Sequence, residues 1–151
     1  MQDKLILPNG YLQFAEEELR EGRSVTILAD GCSMEPFIKG GKDKVEIRPI
    51  DKDETLPLLC CPFYKWNDHY MIHRYIGKAG SKYVMLGDGN LGRYEKVERG
   101  DILGVMTKIH HQDGSIQDCC DPRWIRKAKI WKKLLPVRRI LLAIARRKPW
   151  N

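Results

Sequence analysis

A chain of 151 residues, 42% of them apolar and 31% charged, has material for one hydrophobic core, too little for a second, and too much apolar content for a disordered chain. The formal charge of +7 is unevenly placed: residues 123–151 hold 11 of the 27 Lys and Arg and no Asp or Glu, which leaves residues 1–122 with 16 basic against 20 acidic side chains. Only Leu5-Ile6-Leu7 stands between Met1-Gln2-Asp3-Lys4 and Pro8, too short for a secretory signal, and the longest apolar run of the tail, 140–145, is far below the ~20 residues of a membrane span. Five cysteines, an odd count without an export signal, predict free thiols in a reducing, cytoplasmic setting.

Residues 11–21 place Leu12, Ala15 and Leu19 at helical spacing, with Glu16, Glu17, Glu18 and Arg20 largely on the other side and Gly22 at the stop, which predicts a short amphipathic helix. Residues 24–29 are rich in β-branched side chains and end at Asp30-Gly31, the pattern of a strand. Gly31-Cys32-Ser33-Met34-Glu35-Pro36-Phe37 follows at once. A hydroxyl at the exit of a strand sits on a rigid element, the preceding glycine lets the backbone turn, and Pro36 discourages Glu35 from continuing as helix. This stretch reads either as the seat of a nucleophile, Ser33, facing a cleft, or as an ordinary strand-ending turn; Cys32 is expected to be a packing residue.

Residues 37–41 read as a turn and 43–49 as a strand with one wet face, because Lys44, Glu46 and Arg48 alternate with Val45 and Ile47. A charged loop over 50–57 closes at Pro57. Residues 58–65 and 69–76 are predicted strands joined by a hairpin at Trp66-Asn67-Asp68, and 82–86 and 102–110 complete the set. Tyr64, Trp66 and Tyr70 are expected as core and turn aromatics. Many short strands joined by Gly, Asn and Asp turns predict a mainly β domain over 1–122, strongly bent and partly barrel-like, with a short helix in front. From residue 123, Trp124, Ala128, Trp131, Leu134 and Leu135 recur at helical spacing, Pro136 interrupts, and Val137, Ile140, Leu141 and Ile144 resume the stripe. That predicts a tail over 123–151 made of two basic amphipathic helical segments around a kink.

Three later features give Ser33 a chemical context. His73 lies in the apolar run Met71-Ile72-His73-Arg74-Tyr75-Ile76, where packing fixes its ring; a serine hydroxyl needs a base to take its proton, and histidine titrates nearest neutral pH. Asp88, in Gly87-Asp88-Gly89-Asn90, offers a carboxylate to hold His73 in one tautomer, the third role of a triad, although Asp-Gly is equally a hairpin signal. Asp101, in Gly100-Asp101-Ile102-Leu103-Gly104, either joins the same edge or simply starts a strand. Cys60-Cys61, Cys119-Cys120 and His110-His111 lack metal-ligand spacing, since adjacent strand residues point to opposite faces and no C-x-x-C is present; no metal or other cofactor is expected.

In this order, Gly31-x-Ser33-Met34-x-Pro36, Gly41-x-Asp43, Ile72-His73-Arg74, Gly87-Asp88-x-Asn90 and Ile102-Leu103-Gly104 resemble the successive boxes of the S24/S26 superfamily, the signal peptidase I and LexA-like serine peptidases. The resemblance spans residues 24–109, and the histidine makes the chain most similar to the Ser-His type of signal peptidase found in the endoplasmic reticulum and in archaea. It implies a bent sheet of the LexA/signal peptidase type, Ser33 as nucleophile with its N–H in the oxyanion hole, His73 as general base and Asp88 as supporting carboxylate. It further implies Gly31, Met34, Pro36 and Asn90 as site-shaping residues and Asp101 as a second carboxylate. Three departures stand out: Lys42 separates Gly41 from Asp43, the membrane anchor of the family's signal peptidases is missing, and the 32 residues before Ser33 leave no room for the DNA-binding unit of LexA-type members.

Two functions of different classes follow as expectations. One is a serine endopeptidase hydrolysing a peptide bond in a specific protein or leader peptide; the other is an inactive module of the same fold that binds a partner protein or a membrane surface. In the tail, Trp124, Trp131 and Trp150 with leucines among cations resemble an interfacial helix on anionic lipid, peripheral on the inner face of a membrane. Nucleic acid is the less favoured partner, because phosphate binding does not need the apolar stripe.

Overall fold

The computed structural model describes residues 9–147, so Trp150 lies outside the described residues. α1 (Asn9–Arg20) buries Ala15 and Leu19 and leaves Glu17 and Arg20 in solvent, as its 3.6-residue period requires. The strands are β1 (Val25–Leu28), β2 (Lys44–Pro49), β3 (Pro62–Trp66), β4 (His69–Ile72), β5 (Arg74–Ala79), β6 (Lys82–Leu86), β7 (Tyr94–Val97), β8 (Ile102–His110) and β9 (Ile116–Asp118). α2 (Pro122–Lys133) and α3 (Arg138–Arg147) follow, separated by a short 3-10 turn that holds Pro136 where the kink was expected.

Among the described residues all strand pairs are antiparallel. One sheet has the order β1-β2-β8-β3-β4, with β9 on β8, and the other is β5-β6-β7. Register shifts between Glu46 and Ile47, and between Phe63 and Tyr64, insert bulges that bend the first sheet. Its two edges, β1 and β4, line one cavity, so the sheet curls into a half-barrel. β3 is buried on both faces: Phe63 joins a core with Ala15, Leu19, Ile27, Val45, Ile47 and Met106, while Tyr64 joins one with Tyr75, Tyr83, Met85 and Val97.

Three features differ from the sequence reading. Residues 58–61 are a turn at 58–59 followed by irregular chain rather than strand, with Leu59 at φ 72° and its N–H donating to the Tyr75 carbonyl over 2.8 Å. The predicted strand over 69–76 breaks at His73, and its halves, β4 and β5, belong to different sheets. β7 and β9 were not anticipated. β7 escapes because its inward positions are Glu95 and Val97 rather than two apolar residues.

α2 begins with Asp121, whose carboxylate accepts the Arg123 N–H at 2.8 Å, and with Pro122, whose missing N–H costs nothing in the first turn. Its apolar stripe is spent on the body: Trp124, Ala128 and Trp131 are buried, and Phe37 packs edge-on against Trp124 at 5.0 Å and Trp131 at 6.1 Å. The tail therefore shares the core of the body. Among the described residues no helix is long and apolar enough to cross a membrane.

Candidate functional site

The turn after β1 is strapped from both sides. The Ala29 N–H donates to the Asp43 carbonyl at 2.9 Å, and the Gly41 N–H donates back to the Ala29 carbonyl at 2.7 Å. Buried Asp43 accepts the Lys39 N–H at 2.8 Å and lies 3.1 Å from His111 Nδ1, which fixes the far end of the turn although Lys42 separates it from Gly41. Gly31 sits at φ +71°, where a side chain would be strained, and its N–H donates to its neighbour's carboxylate, Asp30 Oδ1. Ser33 is half-buried, and among the described residues its backbone N–H donates to no protein acceptor. Met34 is buried beneath the turn, whereas Pro36 and Cys32 are exposed, so Cys32 is not the packing residue expected of it.

His73 occupies the one-residue break between β4 and β5 and is buried. Its Nδ1 lies 2.5 Å from Glu95 Oε1 and 3.1 Å from the Tyr64 hydroxyl oxygen. Glu95 is reached because β7 pairs with β6 and turns alternate residues inward; both of its oxygens are out of water. A carboxylate so placed needs a charged or donating partner; among the described residues neither oxygen makes a hydrogen bond, and the basic side chain within salt-bridge distance is His73, which offers a charge only when protonated. Burial, reinforced by the nearby Glu95 charge, raises the Tyr64 pKa, which keeps the phenol protonated. His73 Nε2 has no partner among the described residues.

Asp88, expected against His73, pairs instead with Arg74. Arg74 Nε and Nη2 reach its two oxygens at 2.8 and 2.6 Å, with both side chains buried. The carboxylate at His73 is Glu95, which the sequence reading missed because a glutamate between Tyr94 and Lys96 looks like one more surface charge. The Gly87-Asp88-Gly89-Asn90 loop still serves Ser33, but by its backbone: the Gly89 N–H donates to the Ser33 carbonyl at 2.8 Å. A Cβ at Gly89 would lie 2.4 Å from the Cys32 carbonyl oxygen, so only glycine fits that approach. From the outer side, Trp131 Nε1 donates to the Asp88 carbonyl at 2.8 Å and Arg138 Nη1 to the Asn90 carbonyl at 3.1 Å. Asp101 lies in an exposed 3-10 turn before β8, does not line the cavity that holds His73, and its side chain has no ion pair among the described residues.

Ser33 and His73 line one cavity of about 170 Å³, together with Ile27, Ala29, Met34, Val45, Phe63 and Ile72. No hydrogen bond joins the two among the described residues. The thiols do not compete as nucleophiles from the core, since burial pushes Cys60 and Cys61 up to about 12. Among the described residues no group of three His, Cys, Asp or Glu side chains is placed to hold a metal ion. No family model matches the chain, and no curated protein or solved structure matches it.

Proposed function

We propose that the chain is a serine endopeptidase of the S24/S26 type, with Ser33 as nucleophile, His73 as general base and Glu95, in place of Asp88, as the carboxylate that positions His73. One observation carries the reading: Ser33 and His73 wall the same largely apolar cavity while a buried carboxylate lies 2.5 Å from His73 Nδ1. The half-barrel is read as the sheet of the LexA/signal peptidase type, and an extended peptide would lie between its unpaired edges, β1 and β4, with one side chain in the cavity.

In this reading His73 Nε2 takes the Ser33 hydroxyl proton as Oγ attacks the scissile carbonyl, and the Ser33 N–H, free of protein acceptors, stabilises the oxyanion. The protonated ring hands its proton to the leaving amine, and water activated by the same nitrogen hydrolyses the acyl-enzyme. Glu95 stabilises the imidazolium without taking its proton. A fluorophosphonate probe, which phosphonylates an activated serine with loss of fluoride, tests the assignment: the wild-type chain is expected to label, and Ser33→Ala and His73→Ala are expected not to. A wild type that labels no faster than Ser33→Ala overturns it.

The missing hydrogen bond between Ser33 and His73 favours a second reading, an inactive peptidase-fold module that binds a partner. Persistent failure to label, with the fold intact by circular dichroism, is the result that reading expects.

A further inference from the structure

The outer face of the C-terminal helices is unused by the proposed chemistry. α2 and α3 turn Trp124, Trp131, Arg138 and Leu142 inward, and all four are buried. On the opposite side of α3, Ile140 and Ile144 stand one helical turn apart, 63% and 52% exposed, with Val137 just before them and Ile130 of α2 also in solvent. No acidic residue occurs from 122 to 147. The side chains of Arg123, Arg126, Lys127, Lys129, Lys133 and Arg139 carry no ion pair or hydrogen bond among the described residues.

We propose that this face docks on an anionic lipid surface, with α3 lying along the headgroup plane, Ile140 and Ile144 reaching the acyl boundary and the unpaired cations meeting lipid phosphates. Two terms cooperate in such binding: exposed aliphatic side chains leave water, and the cations are drawn to the negative surface. Nucleic acid would reward the cations but gain nothing from the isoleucines. A protein partner fits less well, because lysines are depleted in protein interfaces and three of the six unpaired cations are lysines. The face keeps the second half of the periodic stripe, Val137, Ile140 and Ile144, and not the first. Trp124 and Trp131, which look like interfacial anchors, hold α2 to the body, and α3 carries the exposed strip. The surface is separate from the Ser33 cavity, so it stands whichever way the labelling experiment falls.

The test is sedimentation of the full chain with vesicles of phosphatidylcholine alone or mixed with phosphatidylglycerol. The chain is expected to sediment with the mixed vesicles, not with the neutral ones, and to be released as salt rises. Joint replacement Ile140→Asn and Ile144→Asn is expected to lower partition by about tenfold or more. Lys129→Gln and Lys133→Gln are expected to lower it by about fivefold per charge. Because all four side chains are solvent-facing, each variant should keep the wild-type melting temperature. Equal sedimentation with neutral vesicles, unchanged partition of the isoleucine variant, or duplex DNA displacing the chain from the vesicles overturns the proposal.

Discussion

Asp88 and Glu95 are both buried carboxylates next to a basic side chain, and their substitutions should separate positioning from folding. Asp88→Asn leaves Arg74 charged and uncompensated among Leu59, Phe37 and Trp124, which costs roughly 3–5 kcal/mol when one member of a buried pair is removed. A fall in melting temperature of about 10 °C is expected, with labelling of the folded fraction largely kept. Glu95→Gln keeps the side-chain shape but removes the charge proposed to stabilise imidazolium, so the labelling rate should fall by about 10³–10⁴-fold. Measured well below both melting temperatures, that loss exceeds any explained by stability. If the two variants exchange these behaviours, the carboxylate assignment reverts to Asp88. Gly89→Ala probes the same site through the backbone. Its Cβ meets the Cys32 carbonyl, which cannot swing away as a side chain can, so a loss of roughly 2 kcal/mol and slower labelling are expected.

The helices and the loops around Ser33 form one mechanical unit. Arg138 stacks over Trp131 at 5.0 Å, donates to its carbonyl at 3.0 Å and reaches the Asn90 carbonyl, so one guanidinium ties α3 to α2 and to the loop beneath Ser33. Arg146 of α3 adds a 3.1 Å contact to Glu35 of the serine turn. A planar fork spans carbonyls in different directions, whereas an ammonium is a point charge. Arg138→Lys should therefore destabilise by roughly 1.5–3 kcal/mol and slow labelling, as read by thermal melting and probe kinetics. The swap leaving both unchanged would show that α3 is not coupled to the site. β4 and β5 illustrate the same interdependence: His73 is where the chain leaves one sheet for the other, which places the ring between the two cores instead of on a strand face.

The whole molecule closes its half-barrel with α1. Glu16 receives hydrogen bonds from Arg20 and from Tyr70 of β4 and pairs with Lys65 of β3 at 3.3 Å. Burial pushes its carboxyl upward, but these partners outweigh burial and hold it below its ordinary 4.5. A depressed carboxyl favours the fold above the unfolded value, and that contribution is lost as pH falls through the folded value. The melting temperature of the wild type should thus exceed that of Glu16→Gln near neutral pH, and the gap should narrow as pH falls below 4.5. A constant gap down to pH 3 would show that the ionised form of Glu16 does not secure α1 to the sheet.

Local pattern alone determined much of this architecture. The period of α1, the alternation in β2, the strands over 25–28, 82–86 and 102–110 and the Pro136 kink are properties of neighbouring residues, and they read correctly. So did the turn that holds Ser33, because a strand exit, a glycine and a proline lie within the nine residues 28–36. The partner of each buried charge could not be read in this way. Nothing near Glu95 in sequence shows that β7 turns it toward His73, and the hydrogen bonds that make Asp88 the partner of Arg74 span 14 residues. Tertiary packing also chose which side of the basic tail faces inward, since Trp124 and Trp131 suit a protein core and a lipid interface equally well until Phe37 and the Asp88 carbonyl are placed beside them. A periodic stripe records that a side chain avoids water, but burial of a charge is tolerated only where a distant strand brings its counter-charge, so the stripes were legible and the pairings were not.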